Sequence, residues 1–236
     1  MKVTLLSWTY DPEKVIATAA KVCYAPGTTE DVWNNSFDYA SFIEKLRNMG
    51  HMSPFEHANF TFGIDGISRA CSHQLVRHRI ASFSQQSQRY VAYNNLKLED
   101  FVVPDPIMHG DGVTFDRYLD LLEDSIDAYK HLTEILVGNG MDEKKAAENA
   151  RYLLPNAMKT NLVMTMNARE LMHFFELRCC KRAQEEINQL AWSMLQKVQE
   201  TFPVLFSNCG PNCLTSKCKE GKMSCGSPYQ TKLPGL

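Results

Sequence analysis

The sequence predicts an α+β fold: a single domain with a mostly antiparallel sheet flanked by helices, followed by a cysteine-rich tail. Strand-like and helix-like segments are interspersed without the regular strand–helix–strand alternation of a doubly wound sheet. No linker rich in proline, glycine or serine divides residues 1–200, and no glycine-rich dinucleotide fingerprint occurs. We therefore expect one domain at residues 1–205 and a tail at residues 206–236.

The chain is predicted to begin with a strand at residues 1–8. A helix follows from Pro12, because Asp11 is a favourable N-cap and proline is favoured at the first helical position. A second helix is predicted over residues 37–49, and Gly50 ends it.

The next two elements lead into the most polar part of the sequence. Residues 57–64 alternate between apolar and polar side chains, which predicts a strand, and residues 67–79 are predicted to be helical. This helix would place Arg69, His73 and Arg77 on one face, because they are spaced by four.

The second half of the chain is predicted to be mainly helical. Apolar residues spaced by three and four over residues 119–136 predict a long amphipathic helix that ends before Gly138 and Gly140. A shorter helix follows, capped by Asp142 and closed by Pro155.

One more strand and two helices complete the prediction. Residues 157–166 are predicted to form a strand that leads directly into a helix with Asn167 as its N-cap. The last helix is predicted over residues 182–200, where apolar side chains form one stripe.

Composition excludes several classes of function. The chain has 25 basic and 27 acidic residues and a formal net charge of −2, so it lacks the positive field typical of proteins that bind nucleic acid polymers. No window of about 18 apolar residues and no export signal are visible. We therefore expect a cytoplasmic protein without a membrane span, whose eight cysteines are kept reduced.

The densest polar segment is residues 77–89. It contains three arginines, one histidine, three serines and three glutamines. Guanidinium groups surrounded by hydroxyl and amide groups suit an anionic, hydrogen-bonding ligand such as a nucleotide. The alternative is a solvated amphipathic helix whose arginines pair with carboxylates.

A second set of polar residues lies on the helix that follows the last strand: Asn167, Arg169, His173 and Arg178. The N-terminus of a helix offers unpaired N–H groups and a positive dipole end, which favour phosphate binding. The alternative is that Asn167 only caps the helix and that Arg169 only pairs with Glu170 or Glu176.

These residues resemble the motifs of the flavin-dependent thymidylate synthases. The first motif is Arg77-His78-Arg79, followed after seven residues by Ser87. The resemblance covers about residues 1–205, and further blocks follow in the order of that family: Ser53-Pro54-Phe55-Glu56-His57, Gln74, Ser87-Gln88-Arg89-Tyr90, Arg151, Asn167-Ala168-Arg169 and Leu177-Arg178.

The resemblance implies a reaction and its partners. The reaction is the reductive methylation of dUMP to dTMP, with methylenetetrahydrofolate as carbon donor, FAD as redox cofactor and NADPH as reductant. It needs no cysteine nucleophile, and the active sites are shared between the subunits of a homotetramer. The alternatives are a non-catalytic flavin- and nucleotide-binding protein on the same scaffold and a nucleic-acid-binding module, which the net charge disfavours.

The resemblance also assigns roles to residues. Arg178 is the catalytic residue, which stabilises the N3 anion of uracil. The dUMP ligands are Gln74, Arg77, Gln85, Gln86, Ser87, Gln88, Arg89, Arg151 and Arg178. The FAD ligands are Ser53, Arg77, His78, Arg79, Gln85, Asn167, Arg169 and His173. His51 is expected at the folate or nicotinamide face.

Two residues depart from the family pattern. Gln85 stands where a glutamate is often expected, and His173 stands where an asparagine is expected. Both keep hydrogen-bonding groups, so the implied function is retained. His173 has the alternative of being a half-buried structural histidine.

The cysteines fall into two groups. Cys23, Cys71, Cys179 and Cys180 lie in apolar or helical surroundings. The last three are predicted inside helices, and we expect Cys71 to pack in the core. Those in the tail are Cys209, Cys213, Cys218 and Cys225. Four tail thiolates suggest a zinc site or an iron–sulfur cluster, although their gaps are wider than the usual paired spacing. The alternative is a flexible tail without metal.

Overall fold

The computed structural model describes residues 1–35, 37–90 and 95–229. Within this part of the chain, four strands form a sheet in the order β1-β2-β4-β3. Their bounds are β1 Lys2–Trp8, β2 Asn59–Ser68, β3 Ala81–Gln85 and β4 Lys159–Asn167.

Contacts between the strands show that neighbours are antiparallel. The hydroxyl groups of Thr61 and Thr165 lie 2.9 Å apart, and the backbone N–H of Gly66 donates to the side-chain oxygen of Asn161. Moving forward along β2 therefore means moving backward along β4. The N–H of Gln86, which follows β3, donates to the carbonyl of Asn161 at 2.9 Å, and β3 is the neighbour of β4 at the edge of the sheet.

Ten α-helices occur in the described residues. Their bounds are α1 Pro12–Val22, α2 Thr29–Asn34, α3 Tyr39–Asn48, α4 Arg69–Leu75, α5 Asp105–Met108, α6 Gly112–Gly138, α7 Glu143–Ala150, α8 Ala168–Arg178, α9 Glu185–Thr201 and α10 Pro203–Phe206. None of these helices combines the length and the apolar character that crossing a bilayer requires. An antiparallel sheet with separate helices confirms the predicted α+β class.

The chain is organised as two compact units. The first unit contains Met1, residues 65–75 and residues 84–162, and the second contains residues 2–64, residues 76–83 and the chain from Val163 onward. The proposed boundary between a domain at 1–205 and a tail at 206–236 stays a prediction.

Each unit has its own apolar core. The core of the first unit consists of Leu96, Phe101, Leu122, Ile126, Tyr129, Ala150 and Met158. The core of the second unit is rich in aromatic rings, and Phe206 packs edge-on against Phe60 and Phe175 with ring centroids 5.3 and 6.3 Å apart.

The helix predicted over residues 67–79 is wrong in its second half. Helix α4 ends at Leu75, and the chain then enters the sheet as β3. Arg77 therefore does not share a helix face with Arg69 and His73. Pairing with β4 satisfies the backbone groups of β3, which outweighs the local preference for helix.

The long helix α6 extends further than predicted. It runs through Gly138, and the backbone N–H of Asn139 still donates to the carbonyl of Ile135 at 3.0 Å. The backbone turns away only at Gly140, where φ is 87°. Glycine adopts this left-handed conformation without steric cost, so Gly140 is the residue that ends the helix.

Helix α8 begins as predicted but ends earlier. Asn167 is its N-cap, and Arg178 is its last residue. Cys179 and Cys180 therefore follow the helix, which corrects the prediction that they lie inside one. Cys71 lies within α4 and is buried, as predicted.

Candidate active site

The polar segment 77–89 contributes to both compact units. Residues 76–83 belong to the second unit, whereas residues 84–89 belong to the first. Of the predicted dUMP ligands, Arg77 and Arg178 belong to the second unit and the others to the first. Of the predicted FAD ligands, Gln85 belongs to the first unit and the others to the second.

His78 is the centre of a buried polar cluster in the second unit, with only 6% of the residue exposed. Its Nδ1 lies 3.3 Å from Oε1 of Glu170, and its Nε2 lies 3.1 Å from Nε of Arg178. An arginine N–H can only donate, so Nε2 carries a lone pair and the ring proton sits on Nδ1. His78 is thus a neutral ring that donates to Glu170 and accepts from Arg178.

The electrostatic environment favours the same protonation state. Burial first of all, and then the electrostatic effects of the neighbouring Arg178 and His173, lower the pKa of His78 from 6.5 to about 4. Burial also raises the pKa of Glu170, while His173 and Arg169 act in the opposite direction. The contact between His78 and Glu170 is therefore a hydrogen bond from a neutral ring and not an ion pair with an imidazolium.

Helix α8 holds this cluster in register. The side-chain oxygen of Asn167 accepts from the backbone N–H of Glu170 at 2.9 Å, which confirms the predicted N-cap. The exposed side chain of Arg169 pairs with Glu56, not with either of the glutamates expected from the sequence. The first turn of α8 is thereby tied to the turn that contains Glu56.

The other predicted ligands of the second unit lie at its surface. The exposed residues among them are His51, Ser53, Arg77, Arg79 and His173. The ring centroid of His173 lies 6.4 Å from that of His78. His173 is therefore a surface neighbour of the buried cluster, and the half-buried alternative is wrong.

In the first unit, Gln85 joins the end of β3 to two hydroxyl groups. Its Nε2 donates to Oγ of Ser72 at 3.0 Å and to Oγ1 of Thr160 at 3.2 Å. The hydroxyl of Ser72 in turn donates to the carbonyl of Arg69 at 3.0 Å. This network uses the amide as a donor, which a glutamate carboxylate cannot provide.

The residues after Gln85 are held by backbone and side-chain contacts. The Nη2 of Arg69 donates to the carbonyl of Gln86 at 2.8 Å. The Nε2 of Gln88 donates to the sulfur of Met158 at 3.1 Å. The segment that carries the predicted phosphate ligands is therefore fixed to α4 and to Met158, the residue before β4.

Helix α7 brings two of the predicted phosphate ligands near its C-terminal end. The Nε of Arg89 lies 2.7 Å from Oε1 of Glu148, and Oγ of Ser87 accepts from the backbone N–H of Arg89 at 3.1 Å. Arg151 follows Glu148 by three residues, a spacing that places neighbouring side chains on one helix face. Gln74 is half-buried in α4 of the same unit.

Several residues of these clusters were missing from the predicted ligand sets. They are Glu56, Arg69, Glu148 and Glu170. Each directly contacts a predicted ligand residue that is distant in sequence, so no local sequence pattern indicates the pairing. Glu170 also carries a local signal, since an acidic residue three positions after an N-cap is typical of the first turn of a helix.

The tail is packed against the second unit. The amide of Asn212 and the ammonium of Lys219 donate to Oε1 of Glu176 at 2.6 and 3.0 Å. The ring of Tyr229 packs edge-on against Trp192, with centroids 5.5 Å apart. The described part of the tail, which extends to Tyr229, therefore packs on helices α8 and α9.

The structure gives no support to the predicted metal site in the tail. Cys209 is buried, whereas Cys218 and Cys225 are exposed. Burial raises the pKa of the Cys209 thiol to about 12, which disfavours the thiolate that a metal needs. No group of three or more histidine, cysteine or acidic side chains in residues 1–35, 37–90 and 95–229 is arranged to hold a metal ion.

Comparison with known proteins agrees with the motifs. A family model described as "Thymidylate synthase complementing protein" matches residues 4–204. A protein of Geobacter sulfurreducens is 46% identical over 98% of this chain and 97% of its own length. Relatives from Clostridium tetani and Pyrococcus abyssi are 45% and 39% identical, covering 98% and 91% of this chain and 96% and 87% of their own lengths.

All three relatives are named "Flavin-dependent thymidylate synthase". A match over 98% of the chain includes most of residues 206–236, so the likeness extends beyond the expected limit at residue 205. The family model covers most of the chain, and the relatives cover nearly all of it. The chain belongs to the thymidylate synthase complementing protein family.

Proposed function

We propose that the chain is a flavin-dependent thymidylate synthase that methylates dUMP to dTMP. Methylenetetrahydrofolate supplies the carbon, FAD is the redox cofactor, and NADPH is the reductant. The observation that carries this proposal is the partly buried hydrogen bond between His78 and Arg178, in a chain whose relatives bear that name over nearly its whole length. The contact holds a guanidinium at one edge and leaves its terminal amino groups for a ligand.

Arg178 is the proposed catalytic residue. Uracil C5 becomes nucleophilic when electron density is pushed into the ring, and a guanidinium at the N3 and O2 edge stabilises the N3 anion. Lowering the pKa of N3 by about two units requires roughly 2.7 kcal/mol. Two unit charges about 4 Å apart supply up to about 4 kcal/mol at an effective dielectric constant near 20, so one arginine is sufficient.

The donors of the first unit are proposed to bind the 5′-phosphate of dUMP. Ser87, Arg89 and Arg151 provide a hydroxyl and two guanidinium groups, and Gln74 is the proposed amide donor. Bidentate contacts from arginine select a phosphate over an uncharged hydroxymethyl group. A nucleoside monophosphate is therefore the preferred substrate over the free nucleoside.

The donors of the second unit fit the pyrophosphate of FAD. Arg77, Arg79 and Arg169 present guanidinium groups at the surface, and their planar forks match phosphate oxygens. The hydroxyl of Ser53 and the amide of Asn167 are the proposed uncharged ligands. FAD, when bound, would supply the hydride-transfer chemistry, while these residues orient it.

No cysteine nucleophile is required by this proposal. Cys71 is buried, and Cys179 is buried with its pKa raised, first of all by desolvation. Cys179 is therefore held as the thiol, which is a poor nucleophile. His51 is proposed at the folate or nicotinamide face, and a homotetramer is proposed in which different subunits contribute residues to each active site.

The alternative is a non-catalytic flavin- and nucleotide-binding protein on the same scaffold. The discriminating experiment supplies purified protein with FAD, NADPH, dUMP and methylenetetrahydrofolate and measures dTMP by chromatography. We expect dTMP only when all four are present. Binding of FAD and dUMP without any dTMP would reject the synthase and favour the alternative.

A further inference from the structure

Glu170 is a buried carboxyl group to which no ligand-binding role has been assigned. Its side chain is 10% exposed, and its Oε1 faces Nδ1 of His78. Burying such a group is unfavourable unless a partner compensates for the lost hydration. The partner is a ring whose other nitrogen contacts Arg178, so Glu170 is linked to the proposed catalytic residue through one side chain.

The two hydrogen bonds of His78 have a fixed direction. If the ring proton moved to Nε2, that N–H would face the N–H of Arg178, and Oε1 of Glu170 would face a lone pair. Both contacts would then be repulsive. Glu170 therefore selects the tautomer of His78 that accepts from Arg178.

This tautomer determines what Arg178 can offer to a ligand. The bond to His78 uses Nε, and the two terminal amino groups of the guanidinium point to other acceptors. Because His78 already holds one edge of the guanidinium, the side chain of Arg178 has less rotamer freedom to lose when it binds a ligand.

We infer that Glu170 is a positioning residue that orients the guanidinium of Arg178 through His78. The inference rests on the proposed role of Arg178 at the base edge of dUMP. Glu170 acts through His78, whose other ring nitrogen accepts from Arg178, and its effect depends on one acceptor oxygen.

Two variants separate positioning from simple space-filling. Glu170→Gln keeps an oxygen that accepts from Nδ1 of His78, so it should retain most of the activity. Glu170→Leu keeps the bulk but removes the acceptor, and its kcat/KM for dUMP should fall by about 10- to 100-fold, as is typical when the support of a functional group is removed. Bound FAD and the melting temperature are recorded to select folded protein.

A second readout does not depend on activity. Nitrogen NMR of protein labelled at histidine reports which ring nitrogen of His78 carries the proton, with His78→Gln used to assign the signal. We expect the proton on Nδ1 in the wild type and in Glu170→Gln, and a substantial population with the proton on Nε2 in Glu170→Leu.

The outcomes distinguish this inference from the proposed function. A wild-type protein with the proton on Nε2, or a Glu170→Leu variant as active as Glu170→Gln, would overturn the inference. A wild-type protein with the expected tautomer that makes no dTMP would instead reject the synthase. If Glu170→Leu fails to fold, the inference is tested by the tautomer of His78 in the wild type and by the activity of Glu170→Gln.

Discussion

The guanidinium of Arg89 is paired with the carboxylate of Glu148, with Nε 2.7 Å from Oε1. Arg89 is 51% exposed and Glu148 is 35% exposed at the side chain, so the pair is well hydrated. Such pairs contribute at most about 1 kcal/mol to stability. A phosphate with two negative charges can therefore displace Glu148 at small cost.

This pairing predicts that Glu148→Gln strengthens the binding of dUMP. Removing the competing carboxylate should lower the dissociation constant by about two- to fivefold, because 1.4 kcal/mol corresponds to a factor of ten. Isothermal titration calorimetry measures the constant. Asp120→Asn, which removes the partner of Arg117 on α6, is the matched control and should leave it unchanged. Weaker binding by Glu148→Gln would mean that Glu148 supports the site.

The lowered pKa of His78 predicts a pH-dependent stability. Between pH 6.5 and about 4 the unfolded chain binds a proton on this residue that the folded chain does not. The contribution of His78 to the free energy of unfolding, up to about 3 kcal/mol, is therefore fully present above pH 6.5. It is lost as the pH falls towards 4.

Urea unfolding at pH 4 to 7, at constant protein concentration, checks this expectation. The free energy of unfolding of His78→Gln should approach that of the wild type as the pH falls through this window. His73→Gln, at an exposed position of α4, is the control and should follow the wild-type profile. A difference between wild type and His78→Gln that does not change with pH would contradict the assignment.

The contacts of the Gln85 amide predict the effect of placing a glutamate at this position, where the family pattern often has one. Ser72 already donates its hydroxyl proton to the carbonyl of Arg69, so a carboxylate at residue 85 would face an oxygen lone pair. Gln85→Glu should therefore lower the free energy of unfolding by about 1 kcal/mol. Denaturant titration at neutral pH measures it, and a more stable variant would show that the network rearranges.

The contacts and exposed cysteines of the tail predict that the protein needs no metal to hold the tail in place. Cys218 and Cys225 are exposed, and the tail is attached to α8 by the contacts of Asn212 and Lys219 with Glu176. The double variant Cys218→Ser/Cys225→Ser should match the wild type in zinc and iron content and in melting temperature. Elemental analysis measures the metals. Stoichiometric metal in the wild type that the variant lacks would restore the metal hypothesis.

Local signals in the sequence were sufficient for the elements that depend on short-range chemistry. Asp11, Asp142 and Asn167 were predicted as caps, and each accepts a backbone N–H in the first turn of its helix. Helix α2 was missed, although Thr28 and Asp31 form a capping box at its start.

Long-range pairing explains the errors. The strand β3 is formed because β4, far along the chain, supplies its hydrogen-bond partners, and the polar pattern of the segment gave no sign of this. The contacts of Arg89 with Glu148 and of Arg169 with Glu56 likewise join residues distant in sequence. The family motifs identified candidate ligands, whereas the carboxylates that hold them became visible only in the folded chain.

Arg178, held by His78, is proposed to activate the base of dUMP. The most direct test is the rate of dTMP formation by Arg178→Lys compared with the wild type, with Arg182→Lys as a control at a nearby surface pair with Glu220. Lysine keeps the charge but cannot match the base edge while bonding His78, so kcat should fall by about 100-fold, equivalent to roughly 2.7 kcal/mol. An Arg178→Lys variant with bound FAD and a wild-type kcat would show that the guanidinium of Arg178 does not activate the base.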